Sequence, residues 1–293
     1  METTISVIIV NKDGKKFLKY LLPSLLSQTL LPSEIIVVDN ASTDHSVDWI
    51  KKHYPQVKIL TNKENRLFAP SLNQGIKFSK GDLLLILNSD LRLSFTFLEK
   101  LKQGIMLSSR IGMVCGKIMD WEGERIDSCG QEISLWGSPK DILRGRKSGG
   151  ERRRRVFGPG GVAFLARKKM LEDIGLLDEK LGIYYEDLDL SWRAVKKGWD
   201  TLYVPDAIAF HFRAGTTIGR KVKGPLYLHL PPFLKSKIII NRYTVWKKNG
   251  SWEELKKRLP FFLIYDLYLW FILLFFSPRM FLKTLKKCLS RRV

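Results

Sequence analysis

Apolar runs of strand length alternate with segments of helical period through the first third of the chain: residues 6–10 then 17–28, 34–38 then 44–52, 57–60 then 69–78, and 83–87. Nearly unbroken Val/Ile/Leu runs suit strands buried on both faces, and strands separated by helix-length segments pair in parallel. The pattern predicts an α/β domain with a sheet flanked by helices. In such sheets ligands bind beyond the carboxyl ends of the strands, which places Asn11, Asp39 and the 88–90 segment at the ligand.

Between residues 111 and 164 the pattern breaks into shorter segments, 113–118 and 161–165, which predict mixed sheet interrupted by a mobile basic loop around Gly149-Gly150. A helix is expected from Lys168 to about Ile174-Gly175, and another from Glu186-Asp187 to Gly198, with glycine just past each helix end. In the second, Leu188, Trp192 and Val195 recur at helical spacing and are expected to face the core, leaving Asp187 free to reach the cleft. Two strands, 201–204 and 207–210, close a domain spanning 1–224.

Residues 225–293 read as a helical appendage rich in aromatic residues, Lys and Arg. Within it, 259–276 is nearly all apolar and long enough to span a membrane, yet it carries Pro260 and Asp266. A spanning helix would also leave the basic tail 279–293 to cross against the positive-inside tendency. The expectation is an in-plane or re-entrant segment at the cytoplasmic face of the cell membrane, its basic tail against anionic headgroups. The alternatives are a helix buried within the protein or a homodimer interface.

Charge sharpens this picture. Fifty Lys and Arg against 29 Asp and Glu give a net charge of +21, which favours polyanionic partners: nucleic acid, anionic lipid or phosphorylated small molecules. The basic residues concentrate at 144–155, at 167–169 and from Arg242 onward. Three cysteines, Cys115, Cys129 and Cys288, without Cys-x-x-Cys spacing argue against a disulfide framework or a zinc site and fit a reducing compartment. The N-terminus, with an acidic residue and a short apolar run, reads as a first strand rather than a signal peptide.

Four places can carry chemistry. The strand ending at Asp39, followed by Asn40-Ala-Ser42-Thr-Asp44, offers a carboxylate to a nucleobase imide or a ribose hydroxyl; the same residues also suit a turn and a helix cap. The strand ending Asn88-Ser89-Asp90 presents an amide and a carboxylate on one side, and Asp90 can hold a divalent metal bridging two phosphates, or simply end a strand. Glu186, Asp187 and Asp189 lie at a helix start, where acids complement the helix dipole; a positioned Asp187 can also deprotonate an acceptor hydroxyl. His211, just past a strand, and Arg213 in the loop running to Thr216-Thr217 can supply a metal ligand and a diphosphate contact.

These segments together resemble family 2 glycosyltransferases of the GT-A fold, most closely the bacterial rhamnosyltransferase-like members that build cell-surface polysaccharides. The marks, over residues 6–217, are Val7-Ile-Ile-Val10-Asn11, Val37-Val-Asp39-Asn-Ala-Ser42-Thr-Asp44, Asn65 with Phe68-Ala69 and Asn73-Gln-Gly75, Leu87-Asn88-Ser89-Asp90, and Tyr185-Glu186-Asp187-Leu-Asp-Leu-Ser-Trp-Arg193. The resemblance implies a nucleotide-sugar donor, dTDP- or UDP-linked, held by Val10, Asn11, Asp39, Ser42, Asn73, Asn88, Ser89, Asp90, Glu186 and Arg213. It further implies Mg²⁺ or Mn²⁺ on Asp90 and His211, Asp187 as catalytic base, inversion at the anomeric carbon, and a glycan or lipid-linked acceptor. Two positions depart from the family pattern: Asn88 stands where many members have the first Asp of a DxD motif, and Leu67 where Gly is usual. No Gln-x-x-Arg-Trp occurs, which favours addition of a single sugar, with dTDP-rhamnose as the donor suggested by analogy.

A nucleotidyltransferase would need a Gly-rich, basic phosphate loop after the first strand, and Asn11-Lys-Asp-Gly14 does not supply it. A nucleic-acid-binding protein would use the charge and the 152–155 arginine run but leave the acidic strand ends without a purpose. No nucleic-acid partner is expected.

Overall fold

The structure, a computed structural model, describes residues 3–213 and 226–290. The predicted loop at Thr216-Thr217, the domain boundary at 224/225 and the last three residues of the basic tail lie outside the described residues.

The chain runs β1 (Ile5–Asn11), α1 (Lys15–Leu26), β2 (Glu34–Asp39), α2 (Ser46–His53), β3 (Lys58–Thr61), α3 (Phe68–Phe78), β4 (Leu83–Asn88), β5 (Leu91–Leu93), α4 (Phe97–Ile105) and β6 (Ile111–Asp120). There follow β7 (Ile126–Ser128), β8 (Gln131–Ile133), β9 (Pro139–Asp141), β10 (Arg154–Val156), β11 (Ala163–Arg167), α5 (Lys168–Ile174), α6 (Glu186–Lys196) and β12 (Asp200–His211). The C-terminal part is helical: α7 (Leu226–His229), α8 (Pro232–Asn249), α9 (Trp252–Phe276) and α10 (Pro278–Ser290).

A 10-stranded mixed sheet has the order β10-β12-β6-β11-β4-β1-β2-β3, with β5 on β12 and β7 on β6. β1 pairs in parallel with both β2 and β4, and the register sets Asn11 opposite Asp39 and Val10 opposite Asn88. The polar ends of three neighbouring strands therefore meet at one sheet edge. Side chains alternate between faces, as the two-residue strand period requires. Val7, Ile9, Val37 and Leu85 pack under α1 and α4, whereas Ile8, Ile36, Val38 and Ile86 pack under α3 and α5.

Two expectations need correction. The strands expected at 201–204 and 207–210 are one strand, β12, whose register on β6 shifts between Val204 and Ile208. Pro205 lies in that stretch, and a residue without an N–H breaks the ladder locally without ending the strand. In α6, Leu188 and Trp192 are buried but Val195 is 45% exposed. The helix is packed on two sides, Leu190 and Ala194 toward the sheet and Leu188 and Trp192 toward α8 and α9, and Val195 belongs to neither.

Leu67, one of the two departures noted in the sequence, sits at φ 67°, ψ −176°, a conformation open essentially only to glycine. Holding leucine there costs about 1–3 kcal/mol. Leu67→Gly relieves this strain, and the expected result in urea unfolding is no loss of stability, whereas trimming an unstrained packed leucine costs about 2–5 kcal/mol.

Candidate active site

At the ends of β1 and β2, the Asn11 amide donates to Asp39 Oδ1 (2.9 Å), Ser42 Oγ (3.2 Å) and Ser46 Oγ (3.0 Å), while the Ser42 N–H donates to Asp39 Oδ2 (2.9 Å). Asn11 and Asp39 are both buried. This network locks the turn after β2 against the end of β1. Ser89 is packed so closely on Gly14 that any side chain at Gly14 would meet its hydroxyl and the Asn11 amide oxygen. Val10, Asn11, Asp39, Ser42 and Ser89 thus form one preorganised cluster.

A cavity of about 620 Å³ lies beside it, and Asn88, Asp90, Glu186, Asp187, His211 and Arg213, all singled out from sequence, line it. Asn73 is the exception. Its amide donates to the Leu177 carbonyl (2.9 Å) and accepts from the Leu177 N–H (3.1 Å), so it fastens α3 to the segment after α5 and does not line the cavity.

His211 is held between two carboxylates, with Nε2 3.4 Å from Asp90 Oδ1 and Nδ1 2.8 Å from Asp127 Oδ2. Burial disfavours the charged ring, but the Asp90 and Asp127 carboxylates outweigh it and hold the imidazole well above its ordinary range. Asp127 is in turn kept well below the usual carboxylate range, because His211 and Arg213 overcome the cost of its burial. Arg213 donates to Asp127 Oδ1 (2.6 Å) and to Asp141 Oδ2 (2.8 Å).

Asp187, at the start of α6, receives the Gln131 amide (3.0 Å) and the Gly161 N–H (3.0 Å) on Oδ2 and the Leu188 N–H (2.8 Å) on Oδ1. Burial raises its pKa despite these donors. The neighbouring Glu186 is pushed well above the glutamate range by burial and then by the Asp187 charge. Among the described residues Asn11 Oδ1, Gln131 Oε1 and Glu186 Oε2 are buried acceptors with no donor, three orphan groups around the site.

The helix start is strained: Tyr184 and Tyr185 both have positive φ, 66° and 71°. The C-terminal helices hold it. Asn241 of α8 donates to the carbonyls of Leu181, Ile183 and Tyr184 (2.8–2.9 Å), and Tyr185 donates its hydroxyl to Ser138 (3.1 Å). Tyr227, Ile238, Tyr265 and Tyr268 of the same helices also line the cavity, whose lining is therefore both charged and aromatic.

Sequence reasoning missed Asp127, Gln131, Asp141 and the tyrosines of α9. Asp127 and Asp141 fall in three-residue strands, too short to show a period. The only signal was Arg144, in the basic loop and also lining the cavity.

Comparison with known proteins shows the fold and the family. The chain is 26% identical over 253 residues to the N-acetylglucosaminyl-diphospho-decaprenol L-rhamnosyltransferase of Mycobacterium tuberculosis, covering 78% of this chain and 82% of the relative. It is 25% identical to the low-salt glycan biosynthesis hexosyltransferase Agl10 of Haloferax volcanii, covering 65% of this chain and 61% of that protein. Among solved structures, GalNAc-T7 with UDP, GalNAc and Mn²⁺ superposes with a TM-score of 0.66 at 19% identity, over 84% of this chain and 48% of that one. The mannosyltransferase PcManGT of Pyrobaculum calidifontis, solved with GDP-Man and Mn²⁺, superposes at 0.59 and 14% identity, over 100% of this chain and 77% of that one. These likenesses establish the GT-A fold. The model of glycosyl transferase family 2 matches residues 6–175, more than half of the chain, and the protein belongs to that family of glycosyltransferases.

Proposed function

We propose that this glycosyltransferase moves a single sugar, rhamnose from dTDP-rhamnose, onto a hydroxyl of a lipid-linked glycan acceptor at the cytoplasmic face of the membrane, with inversion at the anomeric carbon. One observation carries the reading: a single cavity is lined both by Asp187, Asp90, His211 and Arg213 and by aromatic side chains of the C-terminal helices. The charged groups suit sugar and diphosphate; the aromatic ones suit the sugar faces and lipid-proximal part of an amphiphilic acceptor. The mycobacterial relative, named for an acceptor with a diphosphate and a decaprenol, supports the same substrate class.

In the reaction, Asp187 takes the proton of the acceptor hydroxyl, the oxygen attacks the anomeric carbon, and the bond from that carbon to the donor diphosphate breaks from the opposite face. Gln131 and the Gly161 N–H fix the carboxylate so that little reorganisation accompanies the transfer. The Asn11, Asp39 and Ser42 cluster, at the ends of β1 and β2, would take the nucleoside, with Asp39 the acceptor for base or ribose.

Asp90 and His211 would hold a divalent cation, which would take the place of the proton that Asp90 and Asp127 keep on the ring. With Nδ1 engaged by Asp127, the other ring nitrogen is directed at Asp90, the carboxylate–histidine arrangement that orients a metal ligand. Among the described residues no group of three or more metal-binding side chains occurs, so these two would hold an ion only together with oxygens of the substrate. Such an ion, when bound, neutralises charge building on the departing diphosphate. Asp127→Asn is expected to weaken Mn²⁺-dependent nucleotide binding by about 10- to 100-fold, read by titrating Mn²⁺ in a thermal-shift assay.

The function is tested by supplying dTDP-rhamnose or UDP-hexoses with a polyprenyl-diphosphate-linked sugar and determining the anomeric configuration of the product by NMR. Rhamnose in inverted linkage is expected. Retained configuration, or transfer only from another donor, contradicts the mechanism or the donor assignment respectively.

A further inference from the structure

The C-terminal helices present an apolar face that no other part of the described residues covers. Along α9, Ile264, Leu267, Phe271, Leu274 and Phe275 are all exposed, between 42% and 72%, and recur on one side of the helix. α10 is amphipathic: it exposes Leu282, Leu285 and Leu289 and carries Arg279, Lys283, Lys286 and Lys287 without an acid. α9 is the one helix among the described residues long and apolar enough to cross a membrane. Its opposite side, however, is fastened to α8, where Arg242 and Tyr243 engage Asp266. A helix tied to the catalytic domain along one side and bare along the other lies on a surface more readily than it crosses one.

The apolar face does not stop at the helices. The turn between β8 and β9 carries two adjacent large apolar residues, Leu135 at 60% and Trp136 at 42% exposure, where turns ordinarily use Gly, Asn, Asp or Ser. The Trp136 ring stands edge-on to Phe261 of α9, centroids 5.4 Å apart, and 6.3 Å from Tyr265, at the border of the exposed stripe. Arg242 donates to the Trp136 carbonyl (2.6 Å) and Trp246 to the Gly137 carbonyl (2.7 Å). Gly137, at φ +68°, lies so close to the Phe262 ring that a Cβ there would meet it at 2.7 Å. Turn and helix are packed as one body.

We propose that the hairpin tip, Leu135–Trp136, is a second membrane-contacting element that inserts beside α9 and α10 into the interface of an anionic bilayer and sets the catalytic cavity at the lipid surface. This rests on the reading of the C-terminal region as membrane-associating and extends it into the catalytic domain. The occupant is argued from charge and chemistry: α10 offers cations without acids to anionic headgroups, and tryptophan favours the headgroup level. The other end of the same hairpin supplies Gln131, which holds Asp187, and Asp141, which holds Arg213. The element that touches lipid is therefore continuous with the one that positions the base.

The full chain is mixed with vesicles of phosphatidylglycerol or phosphatidylcholine and binding is measured by flotation. The wild type is expected to bind phosphatidylglycerol vesicles selectively, and the Leu135→Ser/Trp136→Ser double variant at least tenfold more weakly. Independently of that variant's folding, phosphatidylglycerol brominated on its acyl chains quenches tryptophan emission, and Trp136→Phe removes a resolvable part of the quenching. If the wild type binds no phosphatidylglycerol vesicles, both the membrane reading and the hairpin proposal fail. If it binds, but the double variant binds as tightly and Trp136→Phe leaves quenching unchanged, the hairpin proposal alone fails. Self-association that the double variant abolishes, without vesicle binding, makes this face an interface between copies and overturns the proposal.

Discussion

Asp187→Asn lowers the transfer rate by about 10²- to 10⁴-fold, the usual contribution of a general base, while nucleotide binding persists. The substitution keeps size and shape but removes the proton acceptor. It also sets an amide against a site built from donors, since Gln131, Gly161 and Leu188 all direct N–H groups at the carboxylate. Steady-state kinetics with a parallel thermal-shift titration separate loss of chemistry from loss of fold. The pH profile provides a second readout. The base works only when deprotonated, so the rate falls as pH drops through its pKa. Because burial raises that pKa above the ordinary 3.8, the acid limb of the wild-type profile lies at higher pH than an exposed aspartate would give. Asp187→Asn removes that limb.

The largest effect on stability is expected at Arg242. Its side chain is fully buried and donates to Asp266, to the Trp136 and Phe262 carbonyls and to Ser138, joining α8, α9 and the β8–β9 turn. The guanidinium also lies 3.5 Å from the centroid of the Phe262 ring. Arg242→Met leaves the Asp266 carboxylate largely buried without its cation, and breaking such a pair costs about 3–5 kcal/mol. Adding Asp266→Leu removes the stranded charge, so the double variant is expected to recover much of the loss. Urea unfolding of the wild type, the two single variants and the double variant forms a complete cycle. A cost near zero for Arg242→Met would mean that the C-terminal helices are not held through this residue.

Legibility from sequence followed the range of the interactions. The strands of the parallel half showed in their apolar runs, and Asn11, Asp39 and Asn88 were placed because strand ends are where such sheets bind ligands. Asp187 was placed by its position at a helix start. What escaped were partners fixed by contacts distant in sequence: Asp127 meets His211 across 84 residues, and its three-residue strand has no pattern of its own. Asn73 read as a donor-site residue from its place in the Asn73-Gln-Gly75 motif, yet its amide serves Leu177, 104 positions on. Asp266 read as an obstacle to a spanning helix. Its partner Arg242, 24 residues earlier, explains how α9 carries a carboxylate, and that pairing depends on how two helices pack rather than on either sequence. α4 went unread although Phe97, Leu98, Leu101 and Ile105 are all buried at helical spacing.

The proposed nucleotide-sugar site comprises the Asn11–Asp39–Ser42 cluster and the Asp90–His211 pair. The most direct measurement is thermal stabilisation by dTDP, UDP, GDP and CDP, each with and without Mn²⁺. A ligand that binds only the folded state stabilises it by about 2.7 kcal/mol at one hundred times its dissociation constant. The expected result is that dTDP stabilises selectively and in a Mn²⁺-dependent way, equally in the wild type and in Asp187→Asn but not in Asp39→Ala. Stabilisation by none of the four, with lipid vesicles present or absent, would contradict it.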